Sequence, residues 1–306
     1  MTFLGIDAGG SAVRWALCDR DGRKVDEGQA PPVTGHLYLP EARAGFEAFA
    51  GELASRLADR RVAGLVAGIT GLTGDSAQAA EARQLLSEAL RLDPARIEVQ
   101  DDLWIGYHAV FRPGGGHVVY AGTGSVGMHI RADGSVLRVG GRGILIDDAG
   151  SAFAIGRAAL GLVYRRIDRG EDPGPLGGAL FAEVGGDDWN TMRAHVYGVE
   201  VPGGGRTAVA MLALAVARAA EADPAALEIL AAAGRELAVL ARALLHREGL
   251  REVVLLGRAA GLHPAIEEAM RAALPGVALR QAIVDAAFAA ARLACSRALP
   301  GAGLSA

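Results

Sequence analysis

Short apolar runs broken by glycine open the chain. Thr2–Asp7 and Ala12–Cys18 read as strands joined by the turn Ala8-Gly9-Gly10-Ser11, and Asp19-Arg20-Asp21-Gly22 leads into a third strand around Arg23–Gly28. Helical spacing of apolar positions follows over Glu41–Arg60 and Ser76–Arg91, with the apolar strand Gly64–Ile69 between them. Ile97–Gln100 is another short strand, and Leu103–Phe111 reads as helical.

The pattern then starts again. Val118–Ala121 is a strand, Gly122-Thr123-Gly124-Ser125 a glycine-rich turn, Val126–Arg131 a strand, Asp133-Gly134 a hairpin turn and Ser135–Val139 a further strand. Ser11 and Thr123 each stand eleven residues before the glycine of the next turn, Gly22 and Gly134. A repeat on this scale predicts two lobes of related topology, each opening with a meander whose first turn faces a cleft. The remainder is mostly helical: Ala149–Arg169, Arg206–Glu221, Ala225–Gly249, His263–Ala273 and Asp285–Leu299, with one strand over Glu252–Leu256 before Gly257. Gly170–Gly178 and Pro202–Gly205 read as lid or hinge loops. The run Arg112-Pro113-Gly114-Gly115-Gly116 is the natural boundary, giving an N-terminal lobe over 1–113 and a C-terminal lobe over 114–284, with the last helix, 285–299, packing back on the first.

Charge and cysteine usage narrow the chemistry. The 306 residues carry a net charge of −4, which gives no reason to expect a nucleic-acid partner. Lys24 is the only lysine, and its turn-like setting rules out both a Walker A loop and the strand lysine of protein kinases. Cys18 and Cys295 lie far apart in sequence without a CxxC, against a disulfide framework, a zinc site or an iron–sulfur cluster. No apolar run is long enough to span a bilayer and the N-terminus has no signal-peptide pattern, so a cytoplasmic setting without membrane attachment is expected.

Glycine turns between strands aim successive N–H groups into one concavity and can hold phosphate oxygens without a lysine. Two such turns, each with a hydroxyl, suggest a clamp on a polyphosphate, although a turn of this kind can also merely connect a hairpin. Asp7 ends the first strand; it could hold Mg²⁺ through water, or cap its own turn. Asp101-Asp102 sits between a strand and a helix. Asp101 suits the helix N-cap, and Asp102 could accept a hydroxyl proton during phosphoryl transfer. Gly140 to Ser151 is a third glycine and acid block in which Asp148 could bind vicinal hydroxyls or act as an N-cap.

Together these blocks resemble the BadF/BadG/BcrA/BcrD-type ATPase family and its N-acetylglucosamine kinase branch. Gly5-Ile6-Asp7-Ala8-Gly9-Gly10-Ser11 is similar to the first phosphate motif, Gln100-Asp101-Asp102 to the segment with the catalytic base, and Ala121-Gly122-Thr123-Gly124-Ser125 to the second phosphate motif. Gly140–Ser151 resembles Gly-Gly-Trp-Gly…Gly-Asp-Glu-Gly-Ser, and Glu252–Gly257 the strand before the adenosine-binding glycines. The resemblance implies two ribonuclease-H-like (actin/hexokinase-like) α/β lobes with an interlobe cleft, use of ATP and Mg²⁺, and a homodimer. It implies a catalytic Asp102, an ATP site with Gly9, Gly10, Ser11, Gly122, Thr123, Gly124, Ser125 and Gly257, and a sugar site with Gly35, His36, Gly141, Arg142, Gly143 and Asp148. The implied reaction is phosphorylation of N-acetylglucosamine to its 6-phosphate. Glucosamine or N-acetylmuramic acid as substrate, an ATPase, or a non-catalytic sensor of the same fold are the alternatives. Departures concentrate in the sugar site: Arg142 replaces the aromatic residue, Asp147-Asp148-Ala149 replaces Gly-Asp-Glu, and Gly35 stands where an asparagine is usual.

Overall fold

The computed structural model describes residues 1–9, 12–199, 201 and 204–299, and divides into two compact units, 1–112 with the chain from Val284 onward, and Pro113–Ile283. The first unit begins β1 (Thr2–Gly9), β2 (Ala12–Cys18), β3 (Lys24–Ala30), α1 (Pro40–Arg56), β4 (Val62–Ile69), α2 (Ala77–Leu90), β5 (Ile97–Gln100) and α3 (Asp102–His108). Its sheet runs β3-β2-β1-β4-β5, antiparallel through the first three and parallel from β1 to β5. The interior strand β4 is almost wholly buried and reads Val-Ala-Gly-Leu-Val-Ala-Gly-Ile, the continuous apolar run expected of a parallel strand covered on both faces. The edge strand β3, Lys-Val-Asp-Glu-Gly-Gln-Ala, is polar and mostly exposed, which discourages pairing with another chain.

The second unit contains β6 (His117–Ala121), β7 (Ser125–Ile130), β8 (Val136–Gly140), α4 (Ala152–Asp168), α5 (Gly174–Val184), α6 (Trp189–Val196), α7 (Gly204–Ala219), α8 (Pro224–Glu248), β9 (Val253–Leu256), α9 (Pro264–Ala272) and β10 (Leu279–Gln281). Its sheet runs β10-β9-β6-β7-β8, with β6, β7 and β8 antiparallel and β6, β9 and β10 parallel. Read from each meander, the two five-stranded mixed sheets have the same order. The sequence repeat therefore reflects a duplicated topology.

The closing helix α10 (Ala286–Ala298) lies on β1, where Gly5 makes room for it. A Cβ on Gly5 would fall 2.0 Å from the Ala287 carbonyl oxygen and 2.2 Å from the Ala291 nitrogen, so only glycine permits this approach. Cys18 and Cys295 meet at this seam. Both are buried, and burial pushes the Cys18 thiol up to about 12, which leaves it unreactive. Lys24 is tied down at the same end of the unit by Glu27 at 2.8 Å and Asp285 at 2.5 Å.

Two helices and one strand are absent from the sequence reading. The stretch expected to be a loop at Gly170–Gly178 enters α5 at Gly174. Its first turn is fixed from outside: Asp223, nearly buried and the N-cap of α8, accepts the Leu176 N–H at 3.1 Å. Arg166 ties the same carboxylate at 3.2 Å to the Pro173 carbonyl at 3.0 Å. Gly177 cannot be replaced in place, since a Cβ would lie 2.4 Å from that of Pro173. Of the hinge expected at Pro202–Gly205, Pro202 and Gly203 lie outside the described residues and Gly204 begins α7.

Candidate active site

In the first unit the parallel strands end together, and the register brings the candidate residues to that edge. Asp7 pairs with Gly68, and Gly68 pairs with Gln100, after which the chain turns through Asp101 into α3. Asp101 is buried and serves as the N-cap, accepting the Trp104 N–H at 2.6 Å. That leaves the half-buried Asp102 in the first turn, its Oδ1 accepting the Leu103 N–H at 3.1 Å. Gly68 lies between the two acids. A Cβ there would fall 3.1 Å from Asp102 Cα and 2.4 Å from Ile105 Cγ1, so the close approach of β4 to α3 depends on its lacking a side chain.

Electrostatics mark the same pair. Burial, reinforced by the Asp7 charge, pushes Asp102 up to about 6. Asp7 is also raised by burial; Arg14 opposes the rise and Asp285 adds to it. A buried carboxylate that feels the charge of a second acid forms a place where a proton or a divalent cation is welcome. Gly35 and His36 reach this edge as well. The Gly35 N–H donates to the Thr70 carbonyl at 2.9 Å, while the Thr70 N–H donates to that of Ala8 at 2.9 Å. His36 is exposed, its Nδ1 3.0 Å from the Thr34 hydroxyl. Gly9 ends β1 here; Gly10 and Ser11 lie outside the described residues.

In the second unit the turn Gly122–Ser125 is anchored by some of its groups and leaves others open. The Gly122 N–H donates to the Gly124 carbonyl at 2.9 Å. The Gly122 carbonyl accepts the Ala152 N–H at 2.9 Å, and that of Thr123 accepts the Phe153 N–H at 3.4 Å, so the turn caps α4. Buried Ser125 donates its hydroxyl to the Ala149 carbonyl at 2.6 Å. The N–H groups of Thr123 and Gly124 and the exposed Thr123 hydroxyl have no partner among the described residues. Gly257, at φ +98°, follows β9 so closely beside β6 that a Cβ would sit 2.3 Å from the Ala121 carbonyl oxygen.

Asp148 lies under this turn. It is 2 % exposed, adopts a left-handed φ of 65°, and pairs at 3.3 Å with Arg206 of α7. A Cβ on Gly124 would come within 2.8 Å of both Asp148 Oδ2 and Arg206 Nη2. Gly141 packs against Val126 of β7, while Arg142 is exposed and Gly143 has open space around it. Sequence reading missed Arg206, Gly68 and Asp285. Arg206 lies 58 residues from its acid and in no motif, so only the fold reveals it. Gly68 could have been suspected, being a glycine near the carboxyl end of a buried apolar strand.

Two duplicated α/β units, one with an acidic strand edge and the other with an open glycine–threonine turn, define a sugar-kinase-like ATPase fold of the actin/hexokinase type. The chain belongs to the BadF/BadG/BcrA/BcrD ATPase family, whose family model matches residues 4–294. Among solved structures it is similar to a candidate N-acetylglucosamine kinase from Chromobacterium violaceum, with 25% identity, TM-score 0.69 and coverage of 96% of this chain and 98% of that one. A second candidate N-acetylglucosamine kinase, from Porphyromonas gingivalis, shares the fold at 18% identity, TM-score 0.73 and coverage of 94% and 96%. So does a ROK family glucokinase from Streptomyces griseus, solved with glucose and AMPPNP, at 16% identity, TM-score 0.63 and coverage of 98% and 100%. No curated protein matches in sequence. None of the helices among the described residues is long and apolar enough to cross a membrane.

Proposed function

We propose that the protein is an ATP-dependent kinase that phosphorylates a hydroxyl of an amino sugar, with N-acetylglucosamine and its 6-phosphate as the first substrate and product to test. The observation that supports it is Asp102, a carboxylate pushed up to about 6 at the carboxyl edge of a parallel sheet, next to a second acid. Such a group is ionised at neutral pH yet basic enough to accept a proton. Asp102 takes the hydroxyl proton as the sugar oxygen bonds to the γ-phosphorus; the bond from that phosphorus to the bridging oxygen breaks and ADP leaves. The Thr123 and Gly124 amides and the Thr123 hydroxyl are suited to phosphate oxygens, and Arg206, half exposed beside them, supplies the positive charge that the chain lacks as lysine.

Asp7 fits a magnesium ion held mainly through water and ATP phosphates, because it is a carboxylate raised by burial whose charge bears on Asp102; no cage of three ligating side chains exists among the described residues. When bound there, magnesium would neutralise charge developing on the phosphates. On the sugar side, the resemblance assigns Gly35, His36, Gly141, Arg142, Gly143 and Asp148, and an exposed Arg142 favours trying substrates that carry a carboxylate. The test is coupled ADP release with Mg-ATP against N-acetylglucosamine, glucosamine, N-acetylmuramic acid, N-acetylmannosamine and glucose. Sugar-dependent turnover lost in Asp102→Asn is expected. Sugar-independent hydrolysis, or turnover that survives in Asp102→Asn, overturns the assignment.

A further inference from the structure

At the other end of the first sheet, away from Asp7 and Asp102, lies a shallow bowl of about 380 Å³ lined by Arg60, Arg61, Arg91 and Arg96 with Leu92 and Asp93. It surrounds the start of β4, where Val62 pairs with Thr2. Gly68, beside Asp102, is six residues further along the same strand, or about 20 Å at the rise of an extended chain. A molecule in the bowl is therefore not the one reacting at the acidic edge.

The charges in the bowl are left almost uncompensated. Arg60 has one distant acid, Asp26 at 3.6 Å. The guanidinium groups of Arg61, Arg91 and Arg96 have no partner among the described residues. Asp93 is occupied as the cap of the short turn Pro94–Arg96, accepting the Ala95 N–H at 2.9 Å. Arg91 ends α2 in the left-handed conformation, φ 51°, a position where glycine is ordinarily favoured. A net-negative protein thus gathers four arginines around one concavity, and places one of them at a conformational cost.

We propose that this bowl binds a small metabolite carrying one or two phosphate groups. Guanidinium forks match phosphate oxygens two bonds at a time, and four of them exceed what a single carboxylate could satisfy. The volume, at the lower end for small-molecule sites, suits a sugar phosphate or a short diphosphate better than a polymer. The inference is independent of the kinase reading, because it concerns a different end of the sheet.

The test is calorimetric titration of the full chain with inorganic pyrophosphate at low ionic strength. Parallel arms with a sugar bisphosphate and a nucleoside diphosphate identify which carrier of the phosphates binds best. The wild type and Gly124→Ala should bind pyrophosphate alike at this site. Arg61→Gln/Arg91→Gln should bind at least tenfold more weakly, with sugar turnover unchanged. Arg91→Gly provides the control for folding: it relieves the left-handed residue, so its Tm should rise while pyrophosphate affinity falls. Equal affinity in the wild type and the double variant, or no binding to the wild type at millimolar pyrophosphate, would overturn the proposal. Weakening by Gly124→Ala instead of by the arginine variants would place the anion at the glycine turn and refute it too.

Discussion

Asp102 should impose an acid limb on catalysis. The perturbation is pH itself, followed by Asp7→Asn. With Asp102 raised from 3.8 to about 6, only about 9% of it is ionised at pH 5 against about 91% at pH 7, so kcat/KM should fall roughly tenfold between them. An unperturbed carboxylate would still be about 94% ionised at pH 5 and would give almost no change. Burial is the larger cause and the Asp7 charge the second, so Asp7→Asn should move the limb to lower pH without abolishing it. The assay is ADP release at subsaturating N-acetylglucosamine, whose acceptor hydroxyl does not titrate in this range, with excess Mg²⁺ and saturating ATP so that titration of the nucleotide's terminal phosphate stays out of the profile. A profile flat from pH 7 to 5 would refute the base assignment. A limb that stays fixed in an active Asp7→Asn protein would refute the coupling between the two acids.

Other expectations are equally direct. Gly5→Ala forces a methyl into the backbone of α10 at 2.0 and 2.2 Å, so urea denaturation should show a loss of about 3 kcal/mol; a loss under about 1 would mean the seam adjusts freely. Gly124→Ala crowds a buried acid and its arginine at 2.8 Å, and should raise KM for ATP about tenfold while circular dichroism stays unchanged. His117 is held below its usual pKa, first by burial, and its Nδ1 is buried with no hydrogen-bond partner among the described residues while Nε2 lies 3.0 Å from the Gly249 carbonyl. The unfolded chain therefore binds the proton more readily below about pH 6.5, and stability contributed by His117 is complete above that pH and lost as pH falls. Comparing chemical denaturation of wild type and His117→Gln from pH 7.5 to 5 isolates this from the opposite trend of Asp7 and Asp102, whose raised pKa values favour the folded state as pH falls; a pH-independent difference would reject it.

The meanders and the turn Gly122–Ser125 were legible because their signals are local: alternating apolar residues, Asp-Gly turns, and glycine beside a hydroxyl. Asp101 as the cap of α3 followed from the same local rule, and the cap is present. The beginning of α5 was not legible. Gly-Pro-Leu-Gly-Gly has the composition of a loop, and the helix exists because Asp223 and Arg166, distant in sequence, receive its first turn. β10 is only three residues long and is defined by its pairing with β9 rather than by any pattern of its own. Arg206 falls in the same class, since a partner 58 residues away leaves no mark on local spacing.

The return of α10 to β1 also has a consequence for biosynthesis. The second unit is one continuous stretch, Pro113–Ile283, and holds all its strands before α10 is made. The first unit, although it is synthesised first, lacks the helix that covers Gly5 until residue 298 has been added. On the ribosome the order of folding should therefore invert the order of synthesis, with β1 and β4 keeping an uncovered apolar face through most of translation. Chaperone demand would concentrate on the amino-terminal strands.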